Sequence, residues 1–223
     1  MKAKLFYLFM LSSLAGCTID NYEMPHLTLS GKILDAQTNE LIPSSGANAG
    51  ALVKLYEGNS TQPLLYTVKP DGTFQNSRVF PATYKIVAEG AFDRVEDTIT
   101  ETISKDMQLD IKVTPHVRLQ LTLAGITDTT AEIKMHYKKI NADQEIVKLG
   151  VVWSTFAYPN ATVFPEGDII LEDAAPALPA EGDRTYTVSG LKAGATYYIR
   201  ALALTNNAGG YYNYSTQLEA EAK

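Results

Sequence analysis

The chain has 223 residues, of which 45% are hydrophobic and 20% are charged, and its formal net charge at pH 7 is −6. These values are ordinary for a folded chain with enough apolar material for a core. No basic patch offsets the acidic balance, so a phosphate backbone would be repelled and nucleic acid is excluded as an expected partner. After Cys17 there is no further cysteine, which excludes disulfides, thiolate metal sites and a cysteine nucleophile.

The first residues carry the pattern of an export signal. Lys2 and Lys4 precede an apolar run over residues 5–14, and small residues then lead to Cys17. A charged start, a short hydrophobic centre and a small-residue cleavage site are typical of a signal peptide. The apolar run of about ten residues is too short for a membrane-spanning helix, which needs about 20. We therefore predict a signal peptide over residues 1–16.

The segment Leu14-Ala15-Gly16-Cys17 resembles the bacterial lipobox, in which cleavage leaves the cysteine first and its thiol carries a diacylglyceryl group. The resemblance implies that Cys17 is a lipid attachment site and that the membrane is a partner through this anchor. An ordinary secretory signal with a cysteine nearby is the alternative. Residues 17–26 are polar and acidic and are predicted to form a tether. Asp20 and Glu23 resemble the surface-export signal of Bacteroidota lipoproteins and fit a solvated linker equally well.

From Leu27 onwards, hydrophobic residues alternate with polar ones. Leu27, Leu29 and Ile33 share one face, which predicts a half-buried strand. Turn-rich stretches separate the extended segments that follow, and Pro70-Asp71-Gly72 is a strong turn signal. Further strands are predicted over residues 51–55, 64–68, 73–75, 84–88, 98–103 and 107–113. With no helical stripe among them, these seven strands predict a β-sandwich.

Thr114-Pro115 is the predicted domain boundary, because proline removes an N–H from a strand ladder. A long irregular stretch with four prolines is expected over residues 155–183. The second set of strands is predicted over residues 117–123, 131–137, 146–154, 185–188, 197–205 and 211–218. The prediction for the whole chain is all-β, with two tandem sandwiches over residues 27–114 and 115–223.

Short motifs in each half resemble known sandwich families. In the first half, residues 31–35, 38–43, 53–56, 70–74 and 82–86 follow the order of a carboxypeptidase-regulatory-like, prealbumin-type domain. These resemblances imply the fold of the first sandwich.

In the second half, residues 191–197 resemble the corner before the sixth strand of a fibronectin type III domain. That resemblance implies that Leu191 is a core residue. It also implies that Tyr197 is a corner tyrosine whose hydroxyl bonds to upstream backbone.

Taken whole, the chain resembles a family of Bacteroidota lipoproteins of unknown function that pair a prealbumin-like domain with a fibronectin-like one. The matching segments are residues 20–22, 70–76, 84–87 and 113–115. Members tend to be encoded beside outer-membrane glycan importers and their SusD-like partners. The resemblance implies an outer-membrane lipoprotein at the cell surface that meets polysaccharide or SusC/SusD-like importer proteins. It identifies neither a ligand nor an active site.

No motif for catalysis, a cofactor or a metal was found in the sequence. His26 and His116 border the domains and are expected to face solvent, whereas His136 lies on a predicted strand; none has metal-ligand spacing. The acidic loop of Glu166, Asp168, Glu172 and Asp173 could hold Ca²⁺, but it lacks the alternating oxygen ligands with the required glycine. A solvated loop is therefore favoured, and we expect a protein that is not an enzyme and has no cofactor.

The aromatic residues carry the functional prediction, since exposed rings stack on the apolar C–H faces of sugars. Trp153, Phe156, Tyr158 and Phe164 cluster in one strand and the loop after it. We take Tyr158, Phe156 and Trp153 as a candidate ligand platform. Trp153 shares a strand face with other apolar residues, which favours the core for its ring, whereas Tyr158 lies beside a proline in a loop and is the best candidate for exposure.

The favoured hypothesis is a non-catalytic surface lipoprotein that assists glycan capture and uptake by binding carbohydrate or a partner protein. The first alternative is a structural spacer in an outer-membrane complex. The second is a glycan hydrolase with an unrecognised carboxylate pair, which would need only two acids.

Overall fold

The computed structural model describes residues 23–46, 50–175 and 177–223. Throughout these ranges the ordered elements are strands, and no helix among them is long and apolar enough to cross a membrane. The predicted signal peptide, the lipobox and Cys17 lie outside the described residues. So does most of the predicted tether.

Nine strands form the first half of the described chain. They are β1 (Leu27–Asp35), β2 (Leu52–Glu57), β3 (Leu64–Thr67), β4 (Thr73–Val79), β5 (Ala82–Glu89), β6 (Phe92–Arg94), β7 (Ile99–Ile103), β8 (Met107–Gln108) and β9 (Ile111–Pro115). One sheet has the order β4-β1-β9-β6, with β8 also paired to β1, and the other has the order β3-β2-β5-β7. The alternating residues of β1 and β5 point inward, so the core of this half lies between the sheets.

The predicted strand over residues 107–113 is divided into β8 and β9, which both run parallel to β1. The break between β8 and β9 lies at Leu109, which packs against Gly31 of β1. Leu109 N–H donates to Ser30 O at 2.8 Å, and a Cβ on residue 31 would lie 1.8 Å from Leu109 O. Glycine therefore allows the Leu109 carbonyl to approach β1 closely, at the cost of a regular ladder.

Eight strands form the second half of the described chain. They are β10 (Val117–Ile126), β11 (Thr130–Lys139), β12 (Ile146–Ser154), β13 (Asp168–Asp173), β14 (Glu181–Ser189), β15 (Thr196–Thr205), β16 (Tyr212–Tyr214) and β17 (Leu218–Glu221). One sheet has the order β10-β11-β14, and the other has the order β13-β12-β15-β16, with β17 also paired to β15. The main core of this half lies between these two sheets.

Two predictions for the second half differ from the structure. The stretch predicted to be irregular contains β13, because its prolines lie on either side of an apolar segment between Pro165 and Pro176 that is free to pair. The predicted strand over residues 211–218 is two strands, because Ser215 interrupts the ladder: its hydroxyl accepts the N–H of Ala201 at 2.9 Å.

The prediction of an all-β chain with sandwich-like packing is confirmed. One core contains residues between Leu27 and Val113 and the other contains residues between Val117 and Ala222, so no core residue is shared between the two lists. Leu191 belongs to the second core. Tyr197 is 2% exposed, and its hydroxyl accepts the N–H of Lys192 at 3.1 Å.

The two halves are joined by a single residue, since β9 ends at Pro115 and β10 begins at Val117. Hydrogen bonds hold the halves together on both sides of this connection. Arg118 donates to the buried carboxylate of Asp35 through Nε at 2.7 Å and Nη2 at 3.0 Å, and Asn213 Nδ2 donates to Ala91 O at 2.8 Å. The junction is therefore a packed interface, not a flexible linker.

His116, the connecting residue, was predicted to face solvent, and this prediction is wrong. It is 3% exposed, because both halves close around the single-residue connection. Its N–H donates to Ala91 O at 3.0 Å, its Nδ1 lies 3.2 Å from Thr205 Oγ1, and its Nε2 lies 3.5 Å from Asp93 Oδ1. Burial lowers the pKa of His116, and the Asp93 carboxylate opposes this effect only in part.

The lowered pKa of His116 predicts that acid weakens the fold. In the unfolded chain this imidazole binds a proton near pH 6.5, whereas in the folded state it does so only at lower pH. The free energy of unfolding should therefore decrease as the pH falls below that value, with a slope from this group of at most ~1.4 kcal/mol per pH unit. Urea unfolding of the wild type and His116→Asn at several pH values measures the effect. Parallel pH dependences of the two proteins would contradict it.

Candidate functional site: an aromatic loop over a buried arginine

The central strands of the second half are apolar on both faces. In β12, Val151 and Trp153 point into the main core, while Val152 points the opposite way and is still 0% exposed. In β15, Leu202 is likewise 0% exposed on the outer face. A strand that is buried on both sides needs a cover on its outer face, and this cover is the loop between β12 and β13.

This loop, residues 155–167, is named here the aromatic loop. Its Ala161 and Phe164 pack with Val152, Leu202 and Tyr214 in a third, smaller apolar cluster. The cluster buries the outer face of the sheet and leaves the far side of the loop open to solvent.

Hydrogen bonds fix the path of the aromatic loop. Asn160 Oδ1 accepts the N–H groups of Thr162 and Val163, both at 3.0 Å. Ala161 N–H donates to the Tyr214 hydroxyl at 3.1 Å. Tyr158 has a φ of 60°, which is uncommon for a residue other than glycine, and its N–H donates to the side-chain oxygen of Gln217. The loop is therefore held in one conformation by several side chains.

Arg200 lies beneath the aromatic loop and is 1% exposed. Its Nη2 donates to Ser44 O at 2.9 Å, and its Nη1 and Nε donate to Pro159 O and Ser215 O, each at 3.4 Å. Its guanidinium carbon stands 4.3 Å from the centre of the Tyr214 ring, in a cation–π contact. No carboxylate among the described residues forms an ion pair with it.

The charge of Arg200 is kept despite its burial. Burial lowers its pKa to about 10, and the nearby tyrosines Tyr214 and Tyr158 oppose this effect. The side chain is therefore protonated at neutral pH. A buried charge is costly unless its N–H groups are hydrogen-bonded. The carbonyl groups of Ser44, Pro159 and Ser215 are therefore held around the guanidinium. Through Ser44, this network also reaches the first half of the chain.

On the open side of the aromatic loop, apolar side chains face solvent. Phe156 is 57% exposed, Tyr158 is 42% exposed and Val163 is 51% exposed. We name Phe156 and Tyr158 the aromatic platform. Two exposed rings on a hydrogen-bonded loop present apolar surface in a fixed position, which is what stacking against a flat ligand requires.

Trp153, the third residue of the predicted platform, does not belong to it. Its side chain is 3% exposed and packs in the main core with Leu149 and Val151. The strand alternation accounts for this position, because residues two apart share a face. Phe164 is half-buried on the side of the aromatic loop that faces the sheet.

The acidic and histidine residues were also considered as metal ligands. Among the described residues, no group of three or more His, Asp or Glu is arranged to hold a metal ion. Within the predicted acidic loop, Asp168 and Asp173 are the end residues of β13. Asp173 pairs with Lys148 at 3.3 Å. His136 Nδ1 lies 2.8 Å from Asp183 Oδ1 on the neighbouring strand.

Three residues that support the platform were missed by the sequence analysis: Asn160, Arg200 and Gln217. Two signals in the sequence point to the covered sheet and to Arg200. The unbroken apolar run of β12 indicates a sheet that is covered on both faces. Arg200 is the single charge in the apolar run of β15, which indicates that it is buried with partners.

The first half of the chain matches a described protein family. Residues 27–114 match the model of the N-terminal domain of DUF3823, a protein of unknown function. No curated protein matches the chain.

The fold of both halves is similar to that of solved structures. A DUF3823 family protein from Bacteroides uniformis ATCC 8492 is 15% identical with a TM-score of 0.74, covering 89% of this chain and 100% of that one. Another from Parabacteroides merdae ATCC 43184 is 17% identical with a TM-score of 0.73, covering 89% and 100%. A candidate carbohydrate-binding protein from Bacteroides uniformis ATCC 8492 is 20% identical with a TM-score of 0.73, covering 88% and 99%. At these identities the likeness concerns the fold.

The network around Arg200 predicts the effect of its removal. Arg200→Met keeps most of the side-chain volume but leaves three carbonyl groups without their donor, and each unsatisfied buried group costs about 1–3 kcal/mol. We expect the free energy of unfolding to fall by about 3 kcal/mol in urea denaturation. Arg78→Met removes an exposed arginine and should change it by less than about 0.5 kcal/mol. Equal unfolding midpoints for Arg200→Met and wild type would contradict this account.

Proposed function

We propose that this protein binds carbohydrate without catalysing a reaction, and that the aromatic platform is its contact surface. The observation that carries the proposal is the pair of exposed rings, Phe156 and Tyr158, on a loop fixed by Arg200, Asn160 and Gln217. Sugars present apolar C–H faces on which such rings stack. Because the loop is already ordered, little conformational entropy is lost when a glycan binds.

The comparisons support a binding role in general terms. One similar structure is a candidate carbohydrate-binding protein, and the family that residues 27–114 match is one of unknown function. Neither names an enzyme, which agrees with the proposal. A glycan hydrolase is the least favoured alternative. Among the described residues, no hydrogen bond or ion pair links an acidic side chain to Phe156 or Tyr158.

A structural spacer is the second candidate function. The specific observation in its favour is the hydrogen-bonded junction of Asp35 with Arg118 and of Ala91 with Asn213, which makes the two halves one stiff unit. A spacer and a binding protein differ in what the exposed rings do, so one experiment separates them.

Replacement of Tyr158 by alanine tests the binding role. In native affinity electrophoresis against a panel of soluble polysaccharides, we expect the wild type to be retarded by at least one. Tyr158→Ala should lose most of this retardation, because stacking on one aromatic ring contributes about 1 kcal/mol or more. Phe80→Ala removes a ring that is 39% exposed in the first half and should leave the retardation unchanged. Migration of the wild type unaffected by every polysaccharide would favour the spacer.

We also propose the domain organisation and location that the sequence predicts. Residues 27–114 form a prealbumin-like domain and residues 115–223 form a fibronectin type III-like domain. The lipid on Cys17 anchors them to the outer membrane at the cell surface, where SusC/SusD-like importer proteins are the proposed partners. The resemblance of residues 14–17 to a lipobox supports the lipid anchor. The resemblance of the chain to importer-associated lipoproteins supports the proposed location and partners.

A lipid anchor on Cys17 predicts that the protein partitions into detergent. The wild type, expressed with its own signal in a bacterium that processes lipoproteins, should partition into the Triton X-114 phase because two or more acyl chains give stable membrane binding. Cys17→Ser should partition into the aqueous phase. Aqueous partitioning of the wild type, or an intact mass that lacks acyl chains, would overturn the assignment of Cys17.

A further inference from the structure

Strand β13 forms one edge of its sheet, and its outer side is open. Among the described strands it pairs only with β12, and the two pair without a shift of register. Its six residues are Asp-Ile-Ile-Leu-Glu-Asp, so its charges stand at its ends and none lies in its centre. Ile169, Ile170 and Leu171 are half-buried. The centre of this edge is therefore apolar, regular and accessible.

The other edge strands of the second half are protected against pairing with a further chain. Natural edges are blunted by bulges, charges, prolines or short length. β10 carries a bulge between Leu123 and Gly125, and β14 carries Asp183 and Arg184 between its ends. β16 and β17 have only three and four residues. The centre of β13 has none of these devices, which leaves its edge available for pairing.

Alternate residues of β13 turn their backbone groups towards β12. Ala174, directly after the strand, donates its N–H to Val147 O at 2.9 Å. In an antiparallel ladder the direction alternates from one residue to the next. The backbone groups of Ile169, Leu171 and Asp173 therefore face the open edge.

The chain itself closes both ends of this edge. Ile169 N–H donates to the carboxylate of its neighbour Asp168 at 2.8 Å, and Ala175 N–H donates to Asp173 O at 2.9 Å. Among the described residues this leaves four backbone groups on the edge: the C=O of Ile169, the N–H and C=O of Leu171, and the N–H of Asp173. An added strand of about five residues centred on Leu171 would use all four.

The side chains on both faces of the edge suit an apolar partner. Ile170 packs against the main core, and Ile169 and Leu171 pack against the third cluster on the outer face. Because directly opposite residues of paired strands share a face, an added strand would find an apolar neighbour on either side of the sheet.

The ends of the edge are acidic. Residues 166–173 contain four carboxylates and no lysine or arginine. Asp173 pairs with Lys148 at 3.3 Å. Glu166 pairs with Lys192 at 3.9 Å. Because lysines lie at only two of the four carboxylates, a net negative charge remains, and a strand with lysine or arginine at its ends complements it.

We propose that the open edge of β13 is a docking site for an extended segment of a partner protein, which joins the sheet as an additional strand. The segment that fits has β-branched or apolar residues in its centre and basic residues at its ends. In this mode of recognition, main-chain hydrogen bonds give affinity and alternate side chains give specificity. The inference goes beyond the proposed carbohydrate binding and does not depend on it.

A second copy of this chain fits the edge less well. Two β13 strands paired antiparallel about Leu171 would set Asp173 of each copy opposite Ile169 of the other. The net negative charge of the two edges would also repel. Self-association is therefore the competing outcome of the test.

The experiment uses the chain with Cys17→Ser, which retains every described residue. The probe is the amidated peptide Lys-Val-Thr-Val-Thr-Val-Lys with a fluorophore at its N-terminus, and binding is measured by fluorescence anisotropy. We expect saturable binding, and binding about tenfold weaker when glutamate replaces both lysines, because attraction becomes repulsion. Tyr158→Ala should leave peptide binding unchanged, so this surface and the aromatic platform are tested separately.

Methylation of the peptide amides, one residue at a time, tests the pairing without altering the protein. Only alternate N–H groups of an added strand face β13. Methylation of those groups should weaken binding about tenfold, through a lost hydrogen bond and a steric clash, whereas methylation of the residues between them should have little effect. An equal loss at every position, or a loss at none, would overturn the proposal.

Two variants of the same residue test the protein side. Leu171→Pro removes an N–H that faces the open edge, where proline is tolerated, and it should abolish peptide binding. Leu171→Val, the matched control, keeps the backbone groups and should bind as the wild type does. Binding to Leu171→Pro at wild-type strength would contradict the proposal. So would failure of the peptide to bind wild type, or a wild-type dimer in sedimentation that Leu171→Pro makes monomeric.

Discussion

The interaction on which the rest of the structure depends is the burial of the Arg200 guanidinium. A full positive charge lies within the protein without a carboxylate among its described partners, and backbone carbonyls take that role. Since such a charge is tolerated only while its donors are occupied, Ser44, Pro159 and Ser215 must stay together. One side chain thereby fixes a loop of the first half, the aromatic loop and the end of β16 relative to one another.

This constraint explains why a loop with so few regular hydrogen bonds can serve as a binding surface. The aromatic loop covers the outer face of a sheet, and the apolar cluster beneath it holds the loop down. The positive φ of Tyr158 would be unfavourable in a free peptide, but here Gln217 and the Pro159–Arg200 contact hold it from both sides. Strain of this kind persists only where the surroundings determine it, and it is concentrated at functional sites.

Local pattern was enough to predict the all-β architecture and most of the strands, because alternation depends on neighbours in the chain. It was also enough to favour Tyr158 for exposure and Trp153 for the core. It did not predict what depends on distant residues: the burial of His116 between the halves and the carbonyl partners of Arg200.

The single-residue connection at His116 affects how this chain can vary. Many multidomain proteins exchange their modules as cassettes, because each module ends in solvent and the linker tolerates changes of length. Here residues on both sides of the connection belong to strands, and Ala91 on one side accepts from Asn213 on the other. Either module transplanted alone would expose surface adapted to its neighbour, so the two are expected to be inherited as a pair.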